Sequence, residues 1–260
     1  MPDHFNSLRQ EILRLDEETR EQFKGRILLE NEEYLRFLRS LSSIRTSELK
    51  KIELEFRLSE NFFDVFLPRI QVLEKLEDAG DLRFHSFTLY ALVRALRPRL
   101  VVETGVAHGK SSALILLALD HNKSGRLVSF DLPPTGELAD GSKTSLSGRE
   151  VGWLVPENLR RNWNLHLVDS KSGLNEMFRR PVEPPNPPEI DFFFHDSLHT
   201  FEHISAELAA VRNHLSARCL LLADNMEMES GPGFEAFCQS ENLKLERFGN
   251  LGGARFGACA

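Results

Sequence analysis

The sequence predicts an α/β fold, a three-layer α/β/α sandwich on a mostly parallel sheet with a helical N-terminal extension. Three observations lead there. Five short apolar runs each end on an acid, the first runs into a glycine turn, and the stretches between runs are long enough for helices. Apolar runs of four to seven residues spaced in this way are the pattern of buried parallel strands rather than of hairpins. In such a sheet the carboxyl ends of the strands share one edge, where open α/β folds bind their ligands. Five carboxylates in one cleft repel phosphate and suit hydroxyls, ammonium or sulfonium groups and metal ions.

Residues 1–82 precede the strands. Ile12, Leu15, Phe23 and Ile27, then Phe62, Val65, Phe66, Ile70 and Leu73, recur at helical spacing between charged residues, with no strand-like alternation. This segment is expected to be a helical extension, with a lid or a homodimer contact as its possible roles. Residues 83–260 form the second unit. A helix over Phe84–Leu96 should stop at Arg97-Pro98, because proline disfavours helical geometry in the residue before it.

The runs are Leu100-Val-Val-Glu103, Leu127-Val-Ser-Phe-Asp131, Leu165-His-Leu-Val-Asp169, Ile190-Asp-Phe-Phe-Phe-His-Asp196 and Cys219-Leu-Leu-Leu-Ala-Asp224. A helix over Ala113–Leu119 follows the first. The polar stretch Pro133–Gly152 reads as a loop beside the cleft, and Pro181–Pro188 as a stiff spacer before the fourth strand. The three consecutive phenylalanines, Phe192, Phe193 and Phe194, should fill both faces of a buried strand, turning His195 away from Asp196. Lys244–Gly249 and Ala254–Cys259 supply two more strands, seven in all, with Gly252-Gly253 as the turn before the last.

The bulk properties exclude several functions. Of 260 residues, 27% are charged and 41% hydrophobic, and the formal net charge is -7, so no basic face points to nucleic acid. No apolar stretch approaches the ~20 residues that span a bilayer, and the N-terminus lacks a signal-peptide pattern. Three cysteines without metal-like spacing read as reduced thiols, which predicts a cytoplasmic location.

The glycine turn, Glu103-Thr-Gly105-Val-Ala107-His-Gly109-Lys-Ser111-Ser, allows three ligands. A phosphate-binding P-loop has one residue more between its glycines. A dinucleotide fingerprint wants glycines where Ala107 and Lys110 stand. S-adenosylmethionine uses acids and glycines together. Its carboxylate would take the helix N-terminus and the Ser111 hydroxyl, its ammonium group Glu103, and its ribose hydroxyls Asp131.

On these residues the chain resembles the class I S-adenosylmethionine-dependent methyltransferases over roughly residues 84–260. Val-Val-Glu103-Thr-Gly105-x-x-x-Gly109-x-Ser111-Ser is similar to that family's first motif, and Asp131 to its ribose-binding acid. The resemblance implies a Rossmann-like sheet with an antiparallel last strand, and a cofactor site that includes Asp169, Ser170 and Asp196. Leu221-Leu-Ala-Asp224-Asn225 with Asp196 resembles the metal-binding residues of catechol-type O-methyltransferases. Val151–Leu159 and Phe194–Phe201 resemble a broad bacterial methyltransferase family. Catechol-type enzymes carry lysine where this chain has His199.

Asp196, Asp224 and Asn225 offer oxygen ligands for Mg²⁺ or Mn²⁺, and a hydroxyl bound there would acidify. His199 is then the general base, because a neutral imidazole accepts a proton near physiological pH. For Asp224-Asn225 the competing reading is a simple strand-to-loop turn. His199-Thr-Phe-Glu202-His203 also matches the inverted zinc-protease motif, H-x-x-E-H. The function expected is methyl transfer to a hydroxyl of a small molecule or glycan. The alternatives are a metal-independent transferase with His199 acting alone, a zinc hydrolase, and a binding module that has kept the pocket without turnover.

Overall fold

The computed structural model describes residues 28–57, 59, 82–134, 146, 148–179 and 189–256. The periodic positions Ile12 to Ile27 and Phe62 to Leu73, the proline-rich 181–188 and Cys259 lie outside them. The helices are α1 (Glu32–Ser42), α2 (Thr46–Arg57), α3 (Leu82–Leu96), α4 (Lys110–Asn122), α5 (Ser170–Arg179), α6 (Phe201–Val211) and α7 (Ser230–Ser240). The strands are β1 (Leu100–Thr104), β2 (Arg126–Asp131), β3 (Trp163–Leu167), β4 (Ile190–His195), β5 (Leu215–Ala223), β6 (Glu246–Phe248) and β7 (Leu251–Arg255). They form one sheet in the order β3-β2-β1-β4-β5-β7-β6, in which β7 runs antiparallel to both neighbours and the other pairs are parallel.

Strand alternation sorts the side chains into two layers. Val101, Leu127, Phe192, Phe194, Leu220 and Leu222 face α3 and α4, in one core with Tyr34, Phe37 and Leu38 of α1 and Phe56 of α2. Val102, Val128, Phe193, Leu221 and Ala223 face Leu174 of α5, Ile204 and Leu208 of α6 and Phe234 of α7. The three phenylalanines therefore do fill both faces. The N-terminal helices share the main core rather than standing apart from it: Tyr34 donates to or accepts from Thr88 of α3 at 2.8 Å. Helix α3 ends at Leu96 as the proline predicts, with Arg97 in the left-handed region at φ 49° and its N–H on the Val93 carbonyl.

Four strands differ from expectation: β5 starts at Leu215, four residues before the apolar run, β6 is trimmed to Glu246–Phe248, and β3 and β7 are shifted. β3 begins and ends two residues early, and its side chains are half-buried or exposed, because it is an edge strand with one neighbour. β7 starts at Leu251, so Gly252 and Gly253 lie inside it. The turn falls instead at Gly249, whose φ is 57°. A Cβ at Gly252 would stand 2.8 Å from Met226 Sδ, and one at Gly253 2.6 Å from Leu41 Cδ1, so these glycines answer to packing.

Candidate active site

The glycine turn joins β1 to α4 at the carboxyl edge. Gly105 has a φ of 83°, and a Cβ there would collide with the Asp196 carbonyl, so only glycine lets the turn lie against the end of β4. Gly109, at φ 88°, opens α4, and a Cβ there would come within 2.7 Å of the Gly152 Cα. The described part of the expected loop clasps this turn. Gly152 N–H donates to the Ala107 carbonyl at 2.9 Å, Leu154 N–H to the His108 carbonyl at 3.0 Å, and Trp153 Nε1 to His108 Nδ1 at 2.7 Å.

Glu103 does not face the cleft. It is 0% exposed, and Ser111 Oγ, Ser112 Oγ and Ser129 Oγ donate to its carboxylate at 2.6, 2.6 and 2.7 Å. Burial pushes its carboxyl up to about 7 against the pull of those three hydroxyls. The expected roles of Glu103 toward an ammonium group and of Ser111 toward a carboxylate are therefore replaced by a bond between the two. Trp163 Nε1 donates to Ser129 Oγ at 2.9 Å and extends this network to β3.

Asp131 at the end of β2 is half-buried and does meet the turn. Its Oδ2 accepts from Val106 N–H at 2.9 Å and Ala107 N–H at 2.6 Å, and its Oδ1 from Leu132 N–H at 2.7 Å. Asp169 lies two residues beyond β3, and its Oδ1 accepts from Ser172 N–H at 3.0 Å, which caps α5. Ser170 turns inward. Its hydroxyl donates to Glu207 Oε1 and lies 3.0 Å from His203 Nε2.

Glu207 is a fully buried carboxylate of α6 that the sequence reading passed over. Besides Ser170 it holds His195 Nδ1 at 2.7 Å, His203 Nε2 at 3.0 Å, and the hydroxyls of Thr104 and Ser197 at 2.9 and 2.8 Å. Burial raises its pKa, but the hydrogen bonds from the two histidines outweigh that and hold it below the ordinary carboxylate range. His195 thus points away from Asp196, as the alternation predicts. The zinc motif does not assemble: α6 begins at Phe201, so His199 lies in the preceding loop, Glu202 is exposed, and His203 is committed to Glu207. A lone glutamate among the apolar residues of this helix, Ile204-Ser-Ala-Glu207-Leu-Ala-Ala-Val211, was the available signal for the network.

The ends of β4 and β5 carry the second constellation. Asp196 and Asp224 follow these strands at the parity of Phe194 and Leu222, which is the α3 face of the sheet. Helix α3 runs into β1 through a three-residue link, so its first turn lies at the carboxyl edge, and His85 is there. His85 Nε2 stands 3.2 Å from Asp224 Oδ2, its ring meets Phe194 edge-on at 6.0 Å, and His85, Asp196 and Asp224 offer ligand atoms within 4.8 Å of one another. The sequence reading missed His85 because it followed strand ends only. Asp224 Oδ1 also accepts from Asn225 N–H at 2.8 Å, and Asn225 has a φ of 52°, so these two residues form the anticipated turn while Oδ2 faces His85.

Burial, then the neighbouring Asp224 charge, raises the Asp196 pKa well above its ordinary value. For Asp224, burial is outweighed by His85, which lowers the pKa. His199 has its pKa lowered by burial and then by His195, whose ring lies 5.9 Å away edge-on. Its Nδ1 is buried and, among the described residues, has no hydrogen-bond partner. The donor set fits a divalent cation: two carboxylates that repel each other, an amide residue beside them, and imidazole nitrogens with no hydrogen bond among the described residues.

Residues 102–226 match a family model described as a methyltransferase domain. A search of curated protein sequences gives no match. Among solved structures, the SAH-bound methyltransferase PaMTH1 of Podospora anserina superposes with a TM-score of 0.56 at 13% identity, covering 82% of this chain and 97% of that one. An O-methyltransferase from Bacillus cereus in complex with SAH gives 0.51 at 12% identity, covering 85% and 96%. A methyltransferase from Geobacter sulfurreducens gives 0.51 at 20% identity, covering 73% and 90%. Among the described residues no helix is long and apolar enough to cross a membrane.

Proposed function

We propose that this chain, whose residues 102–226 match a methyltransferase domain and whose sheet is Rossmann-like, transfers a methyl group from S-adenosylmethionine to a substrate hydroxyl, assisted by a divalent cation. The observation that carries the reading is the contact between its two halves. Gly105 lies against the Asp196 backbone, so a ligand cradled by the turn from Gly105 to Gly109 ends beside the Asp196–Asp224 pair. The Bacillus cereus and Podospora anserina proteins were solved with SAH, which supports the same donor here.

The cofactor would supply an electrophilic methyl group on a sulfonium, and a cation held by Asp196, Asp224 and Asn225 would lower the pKa of a hydroxyl bound next to it. The chain's residues do the rest. The N-terminus of α4 and the turn hold the donor's carboxylate end. Asp131 binds the ribose with its remaining acceptor position, since three of about four are already taken by backbone N–H groups. Asp169 stands at the adenine end. His199, kept neutral by burial, takes the acceptor's proton on a ring nitrogen. Fixing acceptor oxygen and methyl carbon in near-attack geometry supplies most of the acceleration. The products are the methyl ether, the demethylated cofactor and one proton.

Calorimetry tests the reading. S-adenosylmethionine and its demethylated product should bind, and ATP should not, because an acid-lined edge repels a triphosphate. Asp131→Ala should weaken cofactor binding by about 1.5–3 kcal/mol, the value of a hydrogen bond to a charged group. Tight ATP binding with no response to the methyl donor contradicts the proposal.

A further inference from the structure

We infer that His85 is a further protein ligand of the cation site, its one nitrogen ligand, and that this imidazole turns the site from Mg²⁺ toward Mn²⁺, Co²⁺ or Fe²⁺. The inference rests on the cation-assisted reading above and deepens it. His85 is 9% exposed, and both its ring nitrogens are buried with no hydrogen bond among the described residues. Nε2 comes within 3.2 Å of Asp224 Oδ2 without the alignment of a hydrogen bond. Ligands about 2.1 Å from a six-coordinate cation stand roughly 3.0 Å apart when adjacent and 4.2 Å apart when opposite. The 3.2 Å separation matches two adjacent positions of that frame, and ligand atoms of all three groups lie within 4.8 Å of one another.

The fold explains why this residue reaches the site. Asp196 and Asp224 project on the α3 and α4 face, α4 begins with the glycine turn, and α3 begins at the same edge with His85 in its first turn. The next turn of the same helix is bound to the N-terminal helices through Tyr34 and Thr88, so the segment before the methyltransferase match helps hold a residue of the site in place. Mg²⁺ favours an all-oxygen shell, whereas imidazole suits the later divalent metals.

The test uses the full chain loaded with Mn²⁺ and read by electron spin echo, which detects nitrogen bonded to the ion. Wild type should bind one Mn²⁺ more tightly than Mg²⁺ and show nitrogen coupling. His85→Gln should lose that coupling and weaken binding by at least about tenfold, the lower bound for disturbing groups around a metal, while His199→Gln keeps both. Mn²⁺ bound without nitrogen coupling overturns the inference, and this is read on unmutated protein whether or not a variant folds. Coupling that survives in His85→Gln overturns it as well. If wild type binds no Mn²⁺, or binding survives Asp196→Asn with Asp224→Asn, the cation-assisted reading itself falls. If binding needs both aspartates and ignores His85, only the role of His85 falls.

Discussion

The two halves of the carboxyl edge carry the same kind of residue with different hydrogen-bond surroundings. At the β1–β2 end, Glu103 receives three serine hydroxyls and Asp131 three backbone N–H groups. At the β4–β5 end, Asp196 has its pKa raised by burial and by Asp224, and among the described residues both ring nitrogens of His85 and Nδ1 of His199 are buried without a hydrogen bond. A satisfied carboxylate is architecture: it fixes the glycine turn before any ligand arrives. An acid pair left beside open imidazoles is a place prepared for positive charge. The difference separates a cradle from a reaction centre along one row of strand ends.

The largest effect expected from breaking the open half is on turnover. His199→Ala should lower kcat by about 10²–10⁴-fold with cofactor affinity nearly intact. Burial lowers the His199 pKa, so in wild type the acid limb of kcat should fall below the ordinary imidazole value of ~6.5. That limb should vanish in the variant. An identical limb in both proteins assigns the titration to another group and removes His199 from the reaction.

In the closed half the effect is on stability. Glu103 titrates near 7 when folded and near 4.5 otherwise, so between these values the folded chain binds more protons than the unfolded one. Stability then falls as pH rises from 4.5 through 7, by about 3 kcal/mol in full. Glu103→Gln should abolish this slope in ligand-free protein, leaving the variant at least as stable as wild type at pH 8. Thermal melts across pH 5 to 8 check this, and an unchanged slope in the variant would mean that Glu103 stays ionised despite its burial.

The closed half also shows why sequence reading succeeds on strands and falters on contacts. Buried parallel strands announce themselves as apolar runs, so β1, β2, β4 and β5 were legible along with the acids at their ends. β3 and β7 shifted because an edge strand need not be apolar, and because Gly252-Gly253 answers to Met226 and Leu41, which are distant in sequence. The same distance hid the partner of Ser170, Glu207, whereas two of the Glu103 partners, Ser111 and Ser112, are close in sequence and were missed because a serine next to an acid-rich edge can serve a ligand or a buried carboxylate. His85 was within reach. Strand parity puts Asp196 and Asp224 on one face, and a short link from α3 into β1 puts the first turn of that helix beside them.

Calorimetric titration of Mn²⁺ into three proteins tests the contrast most directly: wild type, Glu103→Gln, and the double variant Asp196→Asn with Asp224→Asn. One cation per chain should bind to the first two, and none to the double variant. Absence of binding in wild type, or binding that persists without both aspartates, would contradict the assignment of the β4–β5 end as a cation-assisted methyl-transfer centre.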